Sequence, residues 1–114
     1  MTAQTQRFGR KNEKLALDYL KRQGYRILTR NYRTPMGEVD IIAEDGQTIV
    51  FVEVKARRTD RFGHPKVAVT PAKQRHLSMA ALTYLKETRN SGARARFDVV
   101  AIRYTGDMPT VEHI

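Results

Sequence analysis

The stretch Gly37–Lys55, GEVDIIAEDGQTIVFVEVK, reads as two strands folded back on each other around Asp45-Gly46-Gln47. Along Glu38–Glu44 the side chains alternate, with Glu38, Asp40, Ile42 and Glu44 on one face and Val39, Ile41 and Ala43 on the other. Along Thr48–Ala56, Ile49, Phe51, Glu53 and Lys55 oppose Val50, Val52, Val54 and Ala56. The hairpin is therefore expected to gather Glu38, Asp40, Glu53 and Lys55 on one face, apolar toward the turn and ionic toward the far end. Two registers are open. An Asp45-Gly46 loop sets Glu38 opposite Glu53; a Gly46-Gln47 loop sets Asp40 opposite Glu53 and Glu38 opposite Lys55. Either keeps the four groups together, and only a one-residue slip would part them.

The charge around this hairpin sharpens the reading. Residues 1–35 carry nine Lys/Arg against two acids, residues 36–54 carry none against five, and residues 55–75 carry seven against one. A net charge of +9 favours a polyanionic partner, because basic side chains release counterions condensed on a phosphate backbone. An acidic island within such a chain fits a metal site facing phosphates. It also fits solvated strand acids in a chain kept soluble by its charge.

The 114 residues suffice for a single domain, 1–114, with one core. The absence of cysteine excludes disulfides, thiolate catalysis and cysteine-based zinc sites. The start, MTAQTQRFGRKNEK, lacks the apolar centre of a signal peptide, and no stretch nears the ~18 apolar residues of a membrane span. A cytoplasmic location without membrane contact is expected.

Outward from the hairpin, residues 1–7 are expected to be disordered, followed by a helix over Phe8–Gln23 with a Leu15/Ala16/Tyr19/Leu20 stripe, ended by Gly24. Glu13 belongs to the adjoining row of Gly9, Ala16, Leu17 and Leu20. It either points into the body of the protein or lies at the stripe edge and stabilises the first turn. Tyr25–Arg33 reads as a strand and Thr34-Pro35-Met36-Gly37 as a turn. Thr70-Pro71 caps and opens a second helix whose stripe is Leu77, Ala80, Ala81, Tyr84 and Leu85, extended toward its start by Lys73 and Gln74. Phe97–Tyr104 is a near-continuous apolar strand, with a short edge strand over Thr110–Ile114. The order is αβββαβ(β), a mixed α/β sheet flanked by helices.

A hard divalent cation such as Mg²⁺ takes oxygen ligands and keeps several waters, so one or two carboxylates suffice. Asp40 and Glu53 supply them, with the Val54 carbonyl as a third ligand. Lys55, on the same face as Glu53, is placed to orient an attacking water or to stabilise charge on a phosphate. These parts describe metal-assisted phosphodiester hydrolysis. A cross-strand salt bridge from Lys55 to Glu38 or Glu53 is the plainer reading, but it leaves Asp40 unexplained. Arg57, Arg58 and Arg61 beyond Lys55, together with Lys73, are candidates for holding backbone phosphates; a solvated basic loop is the alternative for the three arginines. His64, His76 and His113 show no metal-ligand spacing and read as solvated or packed. Asp98 is expected to pair with Arg96 or a neighbouring strand. Tyr32 and Phe62 read as packing or turn anchors ahead of base-stacking residues.

Asp40 followed by Glu53-Val54-Lys55 resembles the D…(E/D)-x-K signature of the restriction-endonuclease-like superfamily, and Glu13 on a preceding helix is similar to the acid of its archaeal Holliday-junction-resolvase branch. More closely, NYRTPMGEVDIIAEDG, FVEVKARR and RFDVVAI resemble the bacterial YraN-type family over about residues 8–104. Val39 stands where the wider motif often has proline. The resemblance implies an αβββαβ nuclease core with Asp40 and Glu53 as Mg²⁺ (or Mn²⁺) ligands, Lys55 as the catalytic lysine, Glu13 as an accessory acid and Gln74 as a polar helix residue near the site. Structured or branched DNA is then the expected substrate, and a homodimer the expected assembly. The alternatives are a nucleic-acid-binding module of the same fold that does not cut, and a domain whose positive surface meets an acidic protein.

Overall fold

The computed structural model describes residues 3–57 and 70–114, with side chains from Phe8 onward. The expectations for Arg58, Arg61, Phe62 and His64 lie outside the described residues. Helix α1 spans Ala3–Arg22, so it begins five residues before the expected Phe8. Its buried row is Asn12, Ala16, Leu17 and Leu20. This is the row containing Glu13, whereas the expected Leu15 and Tyr19 are only half-buried. After α1, the backbone turns at Gly24, and the Tyr25 N–H donates to the Leu20 carbonyl at 3.0 Å.

Strands β1 (Arg26–Thr34), β2 (Gly37–Asp45) and β3 (Thr48–Arg57) form an antiparallel meander. Helix α2 (Pro71–Glu87) then returns the chain to β4 (Arg94–Thr105), which runs parallel to β3, and β5 (Met108–His113) closes the sheet antiparallel to β4. The sheet order is β1-β2-β3-β4-β5. α2 starts as the sequence implies: the Thr70 hydroxyl accepts from the Lys73 N–H at 3.2 Å and Pro71 occupies the first turn. β4 begins three residues before the expected Phe97, because Arg94, Ala95 and Arg96 already pair with Thr48, Ile49 and Val50 of β3, and Arg96 is further held by Asp98 and Asp45, each at 3.0 Å.

Each face of the sheet carries its own core. Ile41, Ala43, Val50, Val52 and Val100 pack under α1, while Val39, Ile42, Ile49 and Phe51 pack under α2. The β3 alternation is as expected. That of β2 is not, since Val39 lies with Ile42 under α2 instead of with Ile41 and Ala43. The alternation of β2 therefore breaks at Asp40, where the β1–β2 register runs on unshifted and the residue across the ladder, Asn31 of β1, adopts φ 52; the register shift of that ladder lies between Ile27 and Thr29. Between β2 and β3 the loop is Gly46-Gln47, Gly46 taking φ 61, and pairing runs from Asp45↔Thr48 to Ile41↔Val52. No helix among the described residues is long and apolar enough to cross a membrane.

Candidate functional site

Where the β2–β3 ladder stops, a side chain takes over from the backbone. The Val54 N–H donates to Asp40 Oδ2 at 2.8 Å, so the Asp40 carboxylate is turned toward β3. Burial first, and then the nearby Glu53 charge, raise its pKa from 3.8 to about 6 against the opposing pull of the Val54 N–H and Lys73. A cation placed beside this carboxyl would favour its ionised form.

Glu53 is buried, with its side chain 5% exposed. Its Oε1 meets Lys55 Nζ at 3.2 Å and Lys73 Nζ at 3.4 Å, while Oε2 is buried without a hydrogen-bond partner. Lys73, expected among the phosphate-binding residues, directs its ammonium at this carboxylate. Gln74 lies beside Glu53 in a 260 Å³ cavity under α2, with Phe51, Leu77 and Phe97. Glu38, expected in the cluster, reaches instead to Arg33 Nε at 3.6 Å, its direct cross-strand partner on β1.

Glu13, Asp40 and Lys55 line one open groove of 680 Å³ at the end of the sheet. Glu13 takes the inward of its two readings: its side chain is 20% exposed, Oε1 is buried without a hydrogen bond, and among the described residues it pairs with Arg30 Nη2 at 3.9 Å. Arg10, Arg33 and Arg57 also line the groove. Arg57 was expected beside the site. Arg10 is legible only in hindsight, one helical turn before Glu13, and Arg33 carries no local signal. Asn12, which accepts from the Tyr104 hydroxyl at 2.6 Å in the core, ties α1 to β4 behind the groove.

The carboxylate chemistry suits a hard cation. Among the described residues no three Asp, Glu, His or Cys side chains gather into a cage. An octahedral ion that retains waters needs only two, and a buried oxygen of Glu53 without a hydrogen bond, near a carboxyl that ionises with difficulty, is the donor set such an ion relieves. Asp98 pairs with Arg96 as expected, and also meets His113 Nε2 at 2.6 Å, so His113 is a packed residue of the C-terminal strand. Tyr32 donates to Glu87 at 2.7 Å and stacks edge-on against Tyr84, a packing role.

Residues 12–102 match the family described as Uncharacterised protein family UPF0102. Similar proteins, each named UPF0102 protein, occur in Desulfosudis oleivorans, at 55% identity over 90% of this chain and 84% of the relative, and in Geobacter metallireducens, at 52% over 100% and 93%. A third, in Syntrophus aciditrophicus, is 54% identical over 87% of this chain and 78% of the relative. The matched span runs from Asn12, at the back of the groove, through Asp40, Glu53 and Lys55 to Ile102 in β4, and so takes in nearly the whole site: this chain belongs to the UPF0102 family.

Proposed function

We propose that the chain is a restriction-endonuclease-like, Mg²⁺-dependent nuclease that hydrolyses phosphodiester bonds in structured or branched DNA. The observation that carries this reading is the convergence of Glu13, Asp40 and Lys55 on one arginine-rimmed groove, with the buried Glu53 held against Lys55. Asp40 and Glu53 would hold the ion, which supplies Lewis-acid polarisation of the phosphate and an acidified water when bound. Lys55, anchored on Glu53, presents its ammonium to the attacking water and to the charge that develops on the phosphate. Glu13 is an accessory acid on the opposite wall. Arg10, Arg33 and Arg57 hold the flanking phosphates, and Lys73 keeps the Glu53 carboxylate from swinging away.

One feature favours a second reading. Two ammonium groups already share Glu53 Oε1, as in a charge-neutralised site that binds nucleic acid without cutting it. A cleavage panel of duplex, flap, four-way junction and single-stranded DNA, with Mg²⁺ or Mn²⁺, separates the two. The nuclease reading expects metal-dependent cutting of at least one substrate and loss of cutting by at least about 100-fold in Asp40→Asn, with binding retained. Metal-independent binding with no turnover on any substrate leaves the binding module.

A further inference from the structure

One wall residue of the groove has an unusual backbone and an idle side chain. Asn31 lies in β1 between Arg30, paired with Ile41, and Tyr32, paired with Val39, and so stands across from Asp40 in the same register. Its φ of 52 is a left-handed conformation that costs any L side chain something, and strain of this kind persists where the surrounding structure imposes it. The residue is exposed and lines the groove. Its charged neighbours are engaged, Arg30 with Glu13 at 3.9 Å and Arg33 with Glu38 at 3.6 Å. The Asn31 amide meets no partner among the described residues.

Glycine would adopt this φ without penalty, so the backbone alone does not call for an amide. Asparagine is, equally, the side chain that best tolerates the conformation. The two explanations part at the groove. A cation at this position would pair with the Asp40 carboxylate, whereas a neutral amide brings N–H donors to the mouth and leaves the acids free. Donors of this kind, neutral and fixed by the backbone, set the register of a nucleic-acid strand through its phosphates.

We propose that Asn31 is a strand-positioning residue, its amide donating to a phosphate oxygen of the nucleotide adjacent to the one held at Asp40. The inference rests on the nucleic-acid reading of the groove. Fluorescence anisotropy with labelled duplex and four-way junction DNA in EDTA tests it, on the native protein and on Asn31→Gly and Asn31→Asp, beside thermal melts. Asn31→Gly is expected to melt at or above the native temperature, since it relieves the backbone, yet to bind about three- to ten-fold more weakly. Its dependence on salt should match the native protein, because no ion pair is lost. Asn31→Asp keeps the conformation and binds more weakly still, as its charge repels phosphate. Native affinity in a well-folded Asn31→Gly overturns the inference and reduces Asn31 to a turn residue, whatever the cleavage panel shows. A native protein that binds but never cleaves, with binding still weakened in Asn31→Gly, overturns the nuclease reading and keeps the contact. No binding by the native protein overturns both.

Discussion

Asp40 is where local chemistry and fold meet most directly. In the unfolded chain its carboxyl ionises near 3.8; in the folded protein burial and Glu53 hold the proton up to about 6. The folded state thus binds this proton more tightly, so the group's contribution to stability is complete below about pH 4 and is lost as pH rises through 6. Asp40→Asn, measured in EDTA, should therefore be more stable than the native protein at pH 7.5, by at most about 3 kcal/mol, with the gap closing toward pH 4. Urea midpoints at the two pH values check this, and a gap independent of pH would contradict it. The identities of Asp40, Glu53 and Lys55 were legible from alternation alone. The direction in which Asp40 turns was not, since a break in the facing of one strand leaves no trace in the pattern of apolar residues.

At the scale of elements, the β1–β2 turn is pressed against α2. A Cβ on Gly37 would stand 2.4 Å from the His76 backbone oxygen and 2.8 Å from its carbon, and backbone cannot swing aside as a side-chain tip can. The Thr34 hydroxyl locks the turn from within, accepting from the Met36 and Gly37 N–H groups at 3.1 and 3.0 Å. Gly37→Ala should cost about 1–3 kcal/mol as an overpacking substitution, read as a lowered urea midpoint. An unchanged midpoint would mean that turn and helix separate freely. The turn itself was readable from Thr34-Pro35-Met36-Gly37, but the reason for its glycine was not: the expected cause was local turn geometry, and the actual constraint is a helix about forty residues away. Helix α2 is legible from its cap, whereas the start of α1 is not, because Ala3–Arg7 lacks the apolar spacing that marks a helix.

Across the whole molecule, a charge of +9 coexists with a site built from one buried acid, Glu53, and two half-buried ones, Glu13 and Asp40. Among the described residues, Arg10, Arg33 and Arg57 line the groove and set the scale of its pull on a polyanion. If each neutralises about one phosphate, the logarithm of DNA affinity should fall against the logarithm of salt concentration with a slope of roughly −2 to −4. An anisotropy titration across salt measures the slope. A flat response would remove the phosphate-binding role from Arg10, Arg33 and Arg57. That the flanks are basic was evident from composition; which cations face the groove depended on how α1 lies across the sheet end.

Composition and periodicity alone settled the order of the central elements, the antiparallel hairpin with its two possible loops, and the presence of acids and a lysine at one end of it. These are local properties, written in spacing and turn residues. Packing decided the rest: the Gly46-Gln47 register, the passage of Val39 to the α2 side, the inward aim of Glu13, and the engagement of Lys73 with Glu53. Each depends on residues far apart in the chain meeting across a layer, and on a left-handed Asn31 that no apolar pattern announces.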